Sequence, residues 1–195
     1  MYSPQEDSYL LSEILSDYLK TTKFLTNVRN FGSRKSKDFL GQENRKIKIL
    51  DMGSGSGIQA LACIKLGFKN LVCADIDKQS LEQLKKQKLK AVKSNLFEKI
   101  KSKFDLIIFN PPYLAKNKFD KQKDTSGGKH GDETILAFLQ QAKKHLNNQG
   151  KIILLISSLT PKQKINKLLI KLKYKKETIA TKKIFFELLE IWLIS

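Results

Sequence analysis

The sequence predicts an α/β chain built on an open, mostly parallel sheet with helices on both faces, and three observations carry this expectation. Apolar runs that read as buried strands alternate with segments of helical period from Ile47 onward. One strand runs directly into Asp51-Met52-Gly53-Ser54-Gly55-Ser56-Gly57 and then a helix. Another, Phe104-Asp105-Leu106-Ile107-Ile108-Phe109, stops at Asn110-Pro111-Pro112-Tyr113. Two prolines cannot continue a ladder, so the chain must turn at the carboxyl end of that strand, where open α/β sheets bind ligands.

Taken in order, Ser3-Pro4-Gln5-Glu6 reads as a helix start, with Ser3 as cap, Pro4 at the first helical position and Glu6 completing a capping box. Leu10, Leu11, Ile14, Leu15, Tyr18 and Leu19 then mark one face of a docked amphipathic helix. From Thr21 to Arg45 the pattern breaks into a polar, basic loop. Ile47, Ile49 and Leu50 begin the first central strand, and Ile58, Leu61, Ala62 and Leu66 the helix after the glycine turn. Leu71–Asp75 is the next strand, followed by a basic helix from Ser80 to Leu89 and a short strand at Ala91–Ser94. After the tetrad, Leu114 to Asp132 reads as a surface loop or a flexible cover, and its lone His130 does not by itself define a base. Asp132 is placed to cap a helix through Leu146, which Asn148-Gln149-Gly150 would end. Lys151–Ile156 is then a buried strand and Pro161 opens a further helix. Thr178–Ala180 and Phe185–Ile194 form a closing antiparallel pair, interrupted by Glu187 and Glu190, with Trp192 in the core.

The 195 residues suit one domain (1–195), divided into an N-terminal helix at 1–20, a basic loop insertion at 21–45 and a core at 46–195. The net charge is +18, from 37 Lys+Arg against 19 Asp+Glu. Only Arg29, Arg34 and Arg45 are arginine, so the charge permits electrostatic contact with RNA without indicating base readout. The lysines between Lys85 and Lys103 face a single acid, Glu98, and read either as an exposed face or as a docking surface. Cys63 and Cys73 have neither metal-ligand nor disulfide spacing and read as reduced core residues. An acidic, polar start and the lack of a long apolar run make a cytoplasmic chain, with no membrane contact, the expectation.

Chemically, Asn110 offers an amide oxygen to the crevice, Pro111 a bare carbonyl and Tyr113 a flat ring, a combination that suits a planar NH2 group. The glycine turn lets a ligand approach the backbone, and Asp75, twenty residues after Gly55, is placed for ribose hydroxyls. NAD enzymes share that scheme, but the tetrad has no part in hydride transfer. Turn and tetrad together favour S-adenosylmethionine.

Laid out this way, the chain resembles the HemK/PrmC type of class I S-adenosylmethionine methyltransferase, from Tyr2-Ser3-Pro4-Gln5-Glu6-Asp7-Ser8 to Phe185-Phe186-Glu187-Leu188-Leu189-Glu190. The opening motif is similar to the short eukaryotic and archaeal branch, which methylates the glutamine of the Gly-Gly-Gln motif in peptide-chain release factors. The resemblance implies a Rossmann-like, seven-stranded, mostly parallel sheet with an antiparallel last strand. It implies that Asp51, Gly53 and Gly55 cradle the methionyl end of S-adenosylmethionine, that Asp75 binds its ribose and that Ile76 belongs to the cofactor-binding set. Asn95, in the place of the family's usual Asp, and Leu96 would lie by the adenine. Tyr2, Ser8 and Asn110 complete the implied cofactor pocket, and Asn110, Pro111, Pro112 and Tyr113 the implied catalytic set, with S-adenosylhomocysteine as product. Members of this branch often work with a small zinc-binding activator subunit, which the resemblance implies as a partner. The tetrad equally suits N6 of adenine in RNA or DNA, and methylation of another protein is a further alternative.

Overall fold

A strand buried along its whole length needs cover on both faces, and β1 (Ile49–Met52) and β4 (Phe104–Phe109) are such strands. The chain, in a computed structural model, is described over residues 5–21, 46–112, 131–184 and 186–195. Tyr2, Ser3, Pro4, Tyr113, His130, Phe185 and the expected loops, apart from Thr21, Gly131 and Asp132, lie outside those residues.

The remaining strands are β2 (Leu71–Asp75), β3 (Ala91–Lys93), β5 (Leu146–Ser157), β6 (Lys176–Ile184) and β7 (Glu187–Ile194). They form one sheet in the order β3-β2-β1-β4-β5-β7-β6. β3 through β5 pair parallel, while β7 runs antiparallel to both β5 and β6. This is the mostly parallel, seven-stranded sheet expected.

The two faces follow from the period-two alternation of the strands. Leu50, Met52, Ile107, Phe109, Ile152 and Leu154 point to one side, where α4 (Glu133–Ala142) and α5 (Lys162–Lys171) bring Phe138, Ile165 and Leu169. Ile49, Leu106, Ile108, Ile153 and Leu155 point to the other. There α1 (Glu6–Lys20), α2 (Ile58–Lys65) and α3 (Lys78–Lys86) bring Leu11, Leu15, Cys63 and Leu84. Each such buried Leu or Phe contributes about 1.5–3 kcal/mol. Cys63 and Cys73 are buried and free, and burial pushes both thiols up.

Several boundaries depart from the sequence reading, each for a local reason. Helix α1 begins at Glu6 with Gln5 in the N-cap position, so the expected cap at Ser3 stands too early. Helix α3 begins at Lys78 because the Asp77 carboxylate accepts from the Ser80 N–H at 2.7 Å. Asp132 occupies the N-cap position of α4 but makes no capping bond; its side chain is buried, with Lys164 Nζ at 3.7 Å. The α4 helix ends at Ala142 and a 3-10 turn (Lys143–His145) leads into β5 at Leu146, so Asn148-Gln149-Gly150 lies inside a strand.

Those turn-type residues form an irregularity where the β4–β5 register shifts between Phe104 and Leu106. Gln149 has φ +64°, and a Cβ on Gly150 would come within 2.9 Å of the Phe104 carbonyl. β6 is longer than the expected Thr178–Ala180. Glu190, which interrupts the apolar pattern of β7, accepts from Lys162 Nζ at 2.5 Å and Trp192 Nε1 at 2.7 Å, while Trp192 is fully buried.

Candidate active site

The glycine turn after β1 is held by its own backbone. Ser54 N–H donates to the Ala74 carbonyl at 3.1 Å, and Gly57 N–H donates to the Ser54 carbonyl at 2.8 Å. Gly53 has φ +60° and its Cα faces the Phe109 ring, to which an added Cβ would lie 3.3 Å away. A Cβ on Gly57 would lie 2.8 Å from Leu84 and Gln87, so α3 packs against the turn only because that side chain is missing. The turn thus stays low and leaves a cleft of about 380 Å³ above the carboxyl ends of β1, β2 and β4, within the range of small-molecule sites.

Every predicted site residue that is described lines this cleft: Ser8, Asp51, Gly53, Gly55, Asp75, Ile76, Asn95, Leu96, Asn110, Pro111 and Pro112. Gln5, Asp7, Gln59, Ser94 and Thr134 line it too and were missed by the sequence reading. Asp7 and Gln59 had signals, a carboxylate beside the expected pocket residue Ser8 and a polar side chain in the first turn of an apolar helix.

Asp75 closes β2 with both oxygens engaged: Oδ2 accepts from Gly55 N–H at 2.7 Å and Oδ1 from Asp77 N–H at 2.9 Å. Each oxygen keeps a lone pair for a hydroxyl donor. Burial pushes its carboxyl up, against the pull of those backbone N–H groups. Asp51 is 1% exposed and its Oδ2 has no hydrogen-bond partner among the described residues. Burial pushes its carboxyl up to about 7; a bond from the Ala60 backbone opposes this and the charge of Asp75 adds to it. A buried orphan carboxylate oxygen is costly, and an ammonium group in the cleft would satisfy it.

Asn95 donates from Nδ2 to Glu98 Oε1 at 2.9 Å, which leaves its oxygen to accept. The next residue, Leu96, adopts φ +46°, and its carbonyl accepts from Ser94 Oγ at 2.7 Å. At the end of β4, Asn110 donates from Nδ2 to Asp7 Oδ2 at 3.1 Å and to Ser8 Oγ at 3.3 Å. Its Oδ1 is buried and has no partner among the described residues. The cleft therefore pairs a half suited to an amino-acid end and a ribose with a half presenting an unused amide oxygen.

The fold is shared with solved structures. The E. cuniculi Mtq2–Trm112 complex, which methylates the eRF1 translation termination factor, matches with a TM-score of 0.73 at 21% identity, over 100% of this chain and 97% of that one. The fold is that of a class I methyltransferase. Residues 32–189 match the methyltransferase small domain family, and the chain belongs to that family. A Methanocaldococcus jannaschii protein, provisionally named a protein N5-glutamine methyltransferase, is 34% identical over 96% of this chain and 87% of its own length. The release factor glutamine methyltransferase of Borreliella burgdorferi is 36% identical over 58% of this chain, a match spanning 46% of that relative.

Proposed function

We propose that this chain methylates the side-chain amide nitrogen of the glutamine in the Gly-Gly-Gln motif of a peptide-chain release factor, with S-adenosylmethionine as donor. The observation that carries the reading is Asn110: its amide nitrogen is tied to Asp7 and Ser8 while its buried oxygen has no partner among the described residues. The names of the two relatives point the same way.

S-adenosylmethionine, when bound, supplies an electrophilic methyl group and leaves as S-adenosylhomocysteine. Asp51 would pair with its ammonium, Asp75 would accept from its ribose hydroxyls, and the Asn95 oxygen would accept from the adenine amine. Gly53 and Gly55 would give it room, Ile76 and Leu96 would line its pocket, and Tyr2 and Ser8 would complete that set. For the acceptor, Asn110 Oδ1 and the Pro111 carbonyl would each take one N–H of the glutamine amide, with Pro112 stiffening the turn and Tyr113 packing on the amide plane. An amide nitrogen is a poor nucleophile because its lone pair is delocalised. Two fixed acceptors align it and stabilise the positive charge that develops there, and its proton leaves after the new bond forms.

The fold shared with the Mtq2–Trm112 complex supports a small activator subunit as partner, which the family resemblance suggests carries zinc. A second reading, methylation at N6 of adenine in RNA, draws on the exposed lysines from Lys85 to Lys103. The test is partition of labelled methyl among a release factor, its Gly-Gly-Ala variant and total RNA, with and without the activator. Label that appears on the Gly-Gly-Gln protein and vanishes in the variant is expected. Label in RNA instead would overturn the glutamine reading.

A further inference from the structure

We propose that Asp7 is the positioning residue of the acceptor site: its carboxylate fixes which end of the Asn110 amide faces the substrate. The inference rests on the acceptor role given to Asn110 Oδ1 above.

A primary amide is nearly symmetric in shape but not in chemistry. Turned over by about 180°, Asn110 would present N–H donors to the N–H donors of an acceptor amide, and the site would repel the group it should hold. Something must choose between the two orientations. An ionised carboxylate accepts only, so the group facing it has to be the NH2, and Nδ2 lies 3.1 Å from Asp7 Oδ2. A charge-assisted bond of this kind is roughly twice as strong as a neutral one. Ser8 Oγ, at 3.3 Å from Nδ2, could serve either orientation because a hydroxyl both donates and accepts. Ser8 alone therefore cannot make the choice; with its hydroxyl hydrogen given to Asp7 Oδ1 it can only accept, so Asp7 sets the role of Ser8 as well.

Asp7 is itself held. Its Oδ1 accepts from Ser8 N–H at 2.6 Å and from Ser8 Oγ at 3.3 Å, and the side chain is 5% exposed. Gln59 Nε2, from the first turn of α2, donates to the Ser8 carbonyl at 2.9 Å and fixes the turn that carries both residues. The donor–acceptor polarity of the site at the end of β4 is thus set by α1, 103 residues earlier in the chain. The bland account of an acid in a first helical turn is favourable interaction with the helix dipole, which requires no contact with Asn110.

Asp7→Asn separates the two accounts. The Ser8 donors would retain the side-chain oxygen of the substituted residue, so its new NH2 would face Asn110 and turn that amide over. Turnover on the release factor is expected to fall by about 10- to 100-fold, with S-adenosylmethionine affinity and melting temperature kept. In an Asn110→Ala background the same substitution should cost nothing further, because the group it acts through is gone. Undiminished turnover, or an equal fold-loss in both backgrounds, would overturn the positioning role while leaving the methyltransferase reading intact. Near-normal turnover by Asn110→Ala itself would take down the acceptor reading on which this inference rests. Should the Asn110→Ala rate fall below detection, nitrogen-15 NMR of the Asn110 side chain decides: slowly exchanging amide protons in the native chain and fast exchange in Asp7→Asn are expected, and equal rates overturn the role.

Discussion

Asp51 and Asp105 lie on adjacent strands of the same sheet, both buried, with opposite fates. Asp105, near the amino end of β4, has each oxygen bonded, Oδ2 by Lys48 N–H and Oδ1 by Asn147 Nδ2, both at 2.8 Å. Asp51, near the carboxyl end of β1, keeps an oxygen without a partner among the described residues. The first carboxylate ties the loop before β1 to the irregular start of β5 and its chemistry is used up within the fold. The second holds a charge in reserve. Asn110 repeats the pattern at the end of β4, with its nitrogen bonded and its oxygen open among the described residues. Asp105 at the amino end serves the sheet, whereas Asp51 and Asn110 at the carboxyl end each keep an oxygen that a ligand could use.

The comparison breaks first at Asn110. Asn110→Ala should lower turnover by about 10²–10³ while S-adenosylmethionine still binds, measured by single-turnover methyl transfer beside calorimetry. Asp105→Ala should do the reverse. It strands the Lys48 N–H and the Asn147 amide, at a cost of about 2–3 kcal/mol. The melting temperature should fall by about 5–10 °C with cofactor affinity unchanged.

Asp51 gives the smallest effect and one with a sign to check. Its folded-state pKa is raised to about 7, so the ligand-free chain holds an extra proton. The stability this confers is full below about pH 4 and is lost as pH rises through about 7. Asp51→Asn removes that loss, so its ligand-free melting temperature at pH 8 should equal or exceed that of the native chain. Binding of a cationic amino group requires the carboxylate, so affinity for S-adenosylmethionine should rise about five- to ten-fold from pH 6 to pH 7.5. Titration calorimetry should find that rise in the native chain and a flat, weak profile in Asp51→Asn.

The sheet and most of the cleft are legible in the sequence because their signals are local. Buried strands read as unbroken apolar runs, the glycine turn stands directly after one of them, and Asn110-Pro111 stops another. The missed features depend on contacts between distant segments. Nothing near Asp7 announces Asn110, and the bond between them appears only once α1 lies against the sheet. Asn148-Gln149-Gly150 carries turn chemistry that β5 uses for an irregularity, since the ladder resumes with β4 on either side of the shift. Asp132 looks like a cap, yet its side chain is buried beside Lys164 of α5.

The most direct test of the account is the position of the transferred methyl group, mapped by tandem mass spectrometry on a release factor treated with this chain, S-adenosylmethionine and the activator subunit. One added methyl is expected on the side-chain amide of the glutamine in Gly-Gly-Gln, absent when Asn110→Ala replaces the native chain. A methyl group on a lysine, or on adenine in RNA present in the same mixture, would contradict it.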